Sequence, residues 1–202
     1  VDGYRILDIT IAAEPSTWGT GLHDSMLAWA EDHLRDQAER LARDRRTWLA
    51  GYAFGGDQEL ERAHRTRGYE AVRWDAEMLR PDLEAIADVP LAEGYTLRPP
   101  TTEELPAVFS MMVEAFAEHW GEAEASEQRI EEWIDDPAFR LDLVVVAWRG
   151  DEPAASVTNL LETKEDGTVQ GLLDSVCTGV RHRRRGLARA TITESLRRLR
   201  NR

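Results

Sequence analysis

The sequence predicts an α/β (α+β) fold, with strands and helices mixed along the chain, and three observations carry that reading. Residues 95–202 read β-α-α-β-β-β-α and residues 5–79 read β-α-β-α-β, as the hydrophobic period switches between strand and helix values. Between Val176 and Ala190 a strand runs into a short basic turn, a glycine and the first turn of a helix. The 202 residues suit one domain or two small ones, and 42% hydrophobic residues can supply a packed core.

Arg5–Ala12 alternates and is rich in Ile and Leu, which predicts a strand. The turn Glu14–Gly21 follows, then a long helix from about Leu22 to Arg43. Thr47–Phe54 is aromatic and β-prone, a second strand. Asp57 is a candidate N-cap for a helix ending at Thr66, with Gly68 as its stop. Tyr69–Leu79 alternates again and predicts a third strand. Pro81–Gly94 reads as a linker punctuated by Pro90 and Gly94. Tyr95–Pro99 starts a new unit, and Thr101 or Thr102 followed by Glu103 and Glu104 opens a helix running to about Trp120. Ser126–Asp135 predicts a second helix. Three strands follow at Asp142–Arg149, Ala154–Glu162 and Leu172–Thr178, then an amphipathic helix over Thr191–Leu199.

Composition narrows the function classes. A net charge of −13 argues against general nucleic-acid or anionic-membrane binding. The run Arg181-His182-Arg183-Arg184-Arg185 could be read as a nucleic-acid patch, but it is short, Gly-Leu-Ala takes it straight into a helix, and the rest of the chain is acidic. One cysteine excludes an internal disulfide and fits a reducing compartment. No apolar run is long enough to span a bilayer, and Val1-Asp2-Gly3 does not open a signal peptide, so the expectation is a soluble cytoplasmic protein. The missing initiator Met and the helix-like stretch still running at Arg202 give the expectation of a chain truncated at both ends. No metal-ligand spacing stands out.

The junction at Val176–Ala190 carries the chemistry. A helix N-terminus has unpaired N–H groups and a partial positive charge, which suits a phosphate. Gly186 allows close backbone approach, and Arg183, Arg184 and Arg185 add charge suited to a pyrophosphate. Arg183-Arg184-Arg185-Gly186-Leu187-Ala188 resembles the Arg/Gln-x-x-Gly-x-Gly/Ala signature of the GCN5-related N-acetyltransferases, the GNAT superfamily. That resemblance implies a mixed, mostly antiparallel sheet flanked by helices. It also implies acetyl-coenzyme A (CoA) as cofactor, with Arg183, Arg184, Arg185, Gly186, Leu187, Ala188 and the N–H of Arg189 around the pyrophosphate. Val176, Cys177 and Thr178 would offer the strand edge to the pantetheine arm.

Residues 5–79 resemble the second half of the same fold, an internal repeat. Trp18-Gly19-Thr20-Gly21-Leu22-His23 falls where a second copy of the signature would fall. The expected organisation is two incomplete tandem copies: residues 1–80 as the C-terminal half of a degenerate first domain, 81–94 as linker, and 95–202 as the N-terminal part of a second domain through its coenzyme helix. A permuted single domain assembled from the two halves is the other arrangement the order of elements allows. Three departures read the first copy as structural. Trp18 replaces the phosphate-facing Arg, His23 replaces a small residue, and His64, four before Gly68, stands where the family often carries a Tyr acid. A functional reading would make His64 a general acid.

In the second copy the chemistry is mainly proximity, with a base for the amine proton and an N–H for the carbonyl. Asp174 is the candidate base, expected by strand parity on the face of Val176 and Thr178, with Cys177 facing opposite as a small core residue. Glu118 and His119 are candidate acceptor-site residues, while Trp120 and Trp133 read as core or cleft wall. The expected function is an N-acetyltransferase, an acyltransferase moving acetyl from acetyl-CoA to a primary amine of a small molecule or peptide. A catalytically inactive CoA-binding regulator or scaffold is the alternative. Acidic charge would steer a cationic acceptor, and a homodimer is compatible with the reading.

Overall fold

The computed structural model describes residues 4–41, 46–119, 132–135 and 139–202, and the chain divides into two compact units, Val1–Met78 and Leu79–Arg202.

In the first unit, β1 (Tyr4–Ile9) pairs in parallel with β2 (Arg46–Gly51), in register from Tyr4 opposite Arg46 to Ile9 opposite Gly51. Parallel strands need a crossover, and α1 (Leu22–Arg40) supplies it. The helix buries His23, Leu27 and Glu31, one residue every turn, and packs Leu27 with Ile9, Ile11, Leu60 and Ala63. The last two come from α2 (Gln58–Thr66), whose N-cap Asp57 accepts the Leu60 N–H at 2.9 Å, as its sequence position suggests. Burying each of Leu27 and Leu60 is worth about 1.5–3 kcal/mol.

Glu31 is a charge in this core, its side chain only 4% exposed. It accepts from Arg67 at both oxygens (Nε at 2.9 Å, Nη2 at 3.0 Å) and from Arg35 at 2.8 Å. The Arg67 hydrogen bonds hold its carboxyl below the ordinary 4.5, against burial, which pushes the other way. Burial and the same carboxylate raise the Tyr69 hydroxyl.

The strand read over Tyr69–Leu79 is absent. Alternation supplies an apolar face, but no strand pairs with this segment among the described residues, so no ladder forms. Trp74 and Met78 are 80% and 93% exposed.

In the second unit four strands form one antiparallel sheet in the order β3-β4-β5-β6: β3 (Thr96–Arg98), β4 (Val145–Arg149), β5 (Glu152–Thr163) and β6 (Val169–Thr178). The helix α3 (Leu105–Phe116) covers one face through Val108, Met111 and Met112 against Val144, Val146, Trp148 and Cys177. The helix α4 (Leu187–Arg200) covers the other, with Leu187 in a cluster with Tyr95, Ala147, Ala154 and Ala155. A Cβ on Gly171 would lie 2.8 Å from a Leu199 methyl, so the strand needs a glycine where α4 crosses it.

The start of α3 follows the sequence reading. Thr101 and Glu104 form a capping box ahead of a 3₁₀ turn at Thr102–Glu104. Arg98 grips both Glu104 oxygens (2.6 and 2.7 Å) and lowers that carboxyl to about 2. Of the helix read over Ser126–Asp135, residues 132–135 are described and helical; the rest, with Trp120, lies outside the described residues. The segment read as a linker, 81–94, carries contacts of this unit: Leu91 and Ala92 pack on the α4-side core, and Asp88 pairs with Arg197 at 2.8 Å.

Arg67→Ala leaves Glu31 buried with Arg35 alone beside it, and should destabilise the first unit. The urea midpoint of the α1 amide signals would read this loss. Because the Glu31 carboxyl is lowered in the folded chain, its stabilisation is complete above pH 4.5 and disappears as pH falls through the depressed value. Glu31→Gln should flatten that acid limb.

Candidate anion-binding site

The end of β6 leads directly into the site. Gly179 donates to Ala154 O at 2.9 Å and closes the strand, and a 3₁₀ turn at Val180–His182 follows. Arg183 is extended, Arg184 has φ 67° and Gly186 has φ 78°, ψ 6° as the N-cap of α4. Two left-handed residues so close together turn successive amides to one side, a concavity that suits an anion. The first amides of α4, from Leu187 to Arg189, have no acceptor within the helix and carry its positive dipole end.

Buried neighbours hold this exposed loop. Leu187 is locked in the core behind it. His182 is buried in front, its Nδ1 2.9 Å from the Tyr95 hydroxyl and its Nε2 3.4 Å from Glu152, which also pairs with Arg181 at 2.6 Å. This Tyr95–His182–Glu152 chain escaped the sequence reading, because His182 sits in a basic run and its partners are far away in sequence.

The arginines divide into two groups. Arg183 points to the end of α3, donating to Ala115 O at 3.1 Å and lying 3.9 Å from the Glu118 carboxylate. There it satisfies a carbonyl that the helix leaves open. Arg184, Arg185 and Arg189 are exposed and have no ion-pair partner among the described residues. They are the charge left for a ligand. The Arg183 contact also brings Glu118 to the loop. His119 follows it, its N–H on Phe116 O at 2.7 Å and its ring edge-on to Phe116.

A β-bulge overturns the parity expected for β6. Thr158 pairs with Asp174 but Ser156 with Cys177, so Ser175 and Val176 together oppose Val157, and Ser175 takes φ 49°. The extra residue resets the alternation. Asp174 and Cys177 therefore share a face of the sheet, and Thr178, opposite Ala155, lies on the other. Asp174 is exposed and accepts from the Ser175 hydroxyl. Cys177 is buried 3.2 Å from Ser156 Oγ, and burial raises its thiol, so it packs as the sequence reading expected. Val176 and Thr178 lie on the strand at the sheet's edge, where backbone groups face outward. Trp133 is a core wall, between Phe109 and Phe139.

No protein-family model and no curated protein matches the sequence. Solved structures do. A GCN5-related N-acetyltransferase from Sphaerobacter thermophilus aligns with 96% of this chain at 18% identity and a TM-score of 0.68. The chain has the GNAT fold. It spans 61% of the length of that structure. A glucosamine-6-phosphate N-acetyltransferase from Arabidopsis thaliana (14% identity, TM-score 0.42) matches 54% of this chain over 76% of its own. A ribosomal-protein-alanine N-acetyltransferase from Brucella melitensis (16%, 0.45) matches 54% over 73%.

Within the GNAT fold, the first unit repeats the loop's backbone with different chemistry. Gly21 caps α1 at φ 79°, ψ 10°, and Gly19, two residues earlier, has φ 80° where Arg184 has 67°. Trp18, Gly19 and Thr20 stand where the three arginines stand, and His23 where Ala188 does. His64 is buried with Nδ1 2.9 Å from Leu60 O, its ring edge-on to Tyr69 and filling the space beside Gly51. It packs. Among the described residues no cluster of His, Cys, Asp or Glu could hold a metal, and no helix is long and apolar enough to cross a membrane.

Tyr95→Phe leaves the buried His182 Nδ1 without its partner and should cost about 1–3 kcal/mol. Faster hydrogen exchange at the Arg183–Leu187 amides, with that of β5 unchanged, would show that the contact steadies the loop.

Proposed function

We propose that this chain is part of an N-acetyltransferase that binds acetyl-CoA at the Arg183–Ala188 loop and passes the acetyl group to a primary amine. The observation that carries the reading is the junction itself. A left-handed Gly186 opens the N-terminus of α4 beside three arginines with no ion-pair partner among the described residues, at the end of an edge strand, in a GNAT fold.

The residues present fit the cofactor. Nothing lies within 4 Å of the point a Gly186 Cβ would occupy, so a pyrophosphate can approach the backbone there. Among the described residues, the amides of Leu187–Arg189 and the guanidinium groups of Arg184, Arg185 and Arg189 have no hydrogen-bond or ion-pair acceptor. The outer edge of β6 at Val176–Thr178 offers a ladder to an amide-bearing arm. When bound, acetyl-CoA supplies an activated thioester whose acetyl carbon accepts the amine nitrogen as the thiol departs. The chain's own part is to hold both in line. Asp174, exposed next to the bulge, is the proposed acceptor of the amine proton, with Ser175 Oγ orienting it. Glu118 and His119 at the end of α3 are proposed to line the acceptor side, and a net charge of −13 favours a cationic amine.

The shared backbone of the two glycine turns supports a tandem organisation, with residues 1–80 as a degenerate first copy and 95–202 as part of the second.

Calorimetric titration of acetyl-CoA tests the reading. Wild type should bind at one site. Gly186→Val, which forces a branched residue into a left-handed conformation, and Arg185→Glu should each weaken binding at least about tenfold. Gly21→Val should leave the affinity unchanged. Equal loss from Gly21→Val would overturn the assignment to the second unit. Binding without acetylation of any amine in a panel would favour the inactive CoA-binding scaffold.

A further inference from the structure

The first unit's glycine turn has an anion in it already. Gly19 N–H donates to Glu59 Oε2 at 2.5 Å, across forty residues of sequence. The turn has the backbone of the Arg184–Gly186 loop, and it opens a helix of 19 residues, so its amides and dipole suit a negative charge. Its arginines, however, are replaced by Trp18, Gly19 and Thr20.

His23 points to the same place independently. It is 1% exposed, and among the described residues neither ring nitrogen has a hydrogen-bond partner. Its Nδ1 lies 3.8 Å from the very oxygen that Gly19 holds, and its Nε2 lies 3.6 Å from Asp57 Oδ2. A buried imidazole without a partner is costly unless it faces charge. Glu59 in turn is the second residue of α2, so its carboxylate also benefits from the N-terminal end of that helix. One carboxylate thus joins the N-termini of α1 and α2.

We propose that the Trp18–His23 turn is an anion-binding site whose ligand is the chain's own Glu59 carboxylate, and that this contact shuts phosphate ligands out of the first unit. A bound carboxylate excludes a phosphate twice, by occupying the Gly19 amide and by like-charge repulsion in a turn whose own residues include no arginine. The second-unit loop has no such occupant: among the described residues no carboxylate accepts from the amides of Arg184–Arg189. Silence of the first unit is then an internal latch, beyond the loss of cationic side chains. This inference does not depend on the acetyltransferase reading.

Inorganic pyrophosphate titrated into ¹⁵N-labelled protein tests it, with the Gly19 and Gly21 amides reporting on the first unit and Gly186 on the second. In wild type the Gly19 and Gly21 signals should stay in place. In Glu59→Ala they should shift on titration, with an affinity raised at least about tenfold. Glu59→Gln, which keeps the side chain's length without its charge, should shift them in the same direction by less. A wild-type Gly19 signal that moves as Gly186 does would overturn the latch. So would folded Glu59→Ala and Glu59→Gln proteins whose Gly19 and Gly21 signals ignore pyrophosphate. A motionless Gly186 would count against the proposed cofactor site alone.

Discussion

The second unit is organised by a hairpin that must be covered on both faces. Val145, Val146, Ala147 and Trp148 of β4 are all fully buried, as are Ala154, Ala155 and Val157 of β5. Side chains alternate across a strand, so such a run requires a layer on each side. The helix α3 satisfies one face with Val108, Met111 and Met112, and α4 the other with Leu187 and Leu199. The anion site is a consequence. Leu187 is anchored in the core at the first position of α4, and Gly186 makes the left-handed turn that starts the helix there, beyond the loop that leaves β6. Packing therefore fixes where the helix presents its amides.

Polar contacts then tune that frame. Asn159 of β5 donates to Leu143 O at 2.6 Å and to Ser195 Oγ at 3.0 Å, tying the sheet to α4. Arg198 reaches Val144 O at 3.2 Å from the same helix. Tyr95 and His182 anchor the entry to the loop, and Arg183 ties its crest to the end of α3. The Asn159, Tyr95–His182 and Arg198–Val144 contacts are buried or half-buried, each worth about 1 kcal/mol net. Their larger effect is order: the loop sits exposed between fixed points, which lowers what a ligand must spend on arranging it.

The two glycine turns show how one backbone accommodates opposite chemistries. Both place left-handed residues two apart before a helix. In the second unit the side chains are arginines facing solvent. In the first they are Trp18 and Thr20, with a carboxylate from α2 already on the Gly19 amide and beside the buried His23. The Glu31–Arg67 pair reinforces the same helix packing from the other end of α2.

Sequence by itself determined whatever depends on neighbours along the chain. The period of apolar residues placed α1, α2 and the β4–β5–β6 run within a few residues. The helix start near Thr101–Glu104, the Asp57 cap and the glycine at 186 are local chemistry within four residues and were legible, with the structure choosing Thr101 over Thr102 as the cap. Tertiary structure alone decided the rest. Tyr69–Leu79 has a strand's alternation but no strand beside it among the described residues, and alternation cannot show whether a partner exists. The bulge at Ser175–Val176 has no sequence mark, yet one extra residue moved Asp174 to the face of Cys177. Partners such as Arg183 with Ala115, His182 with Tyr95 and Glu59 with Gly19 lie tens of residues apart. Local backbone preference is written residue by residue, whereas register and buried polar partners follow from which surfaces the core forces together.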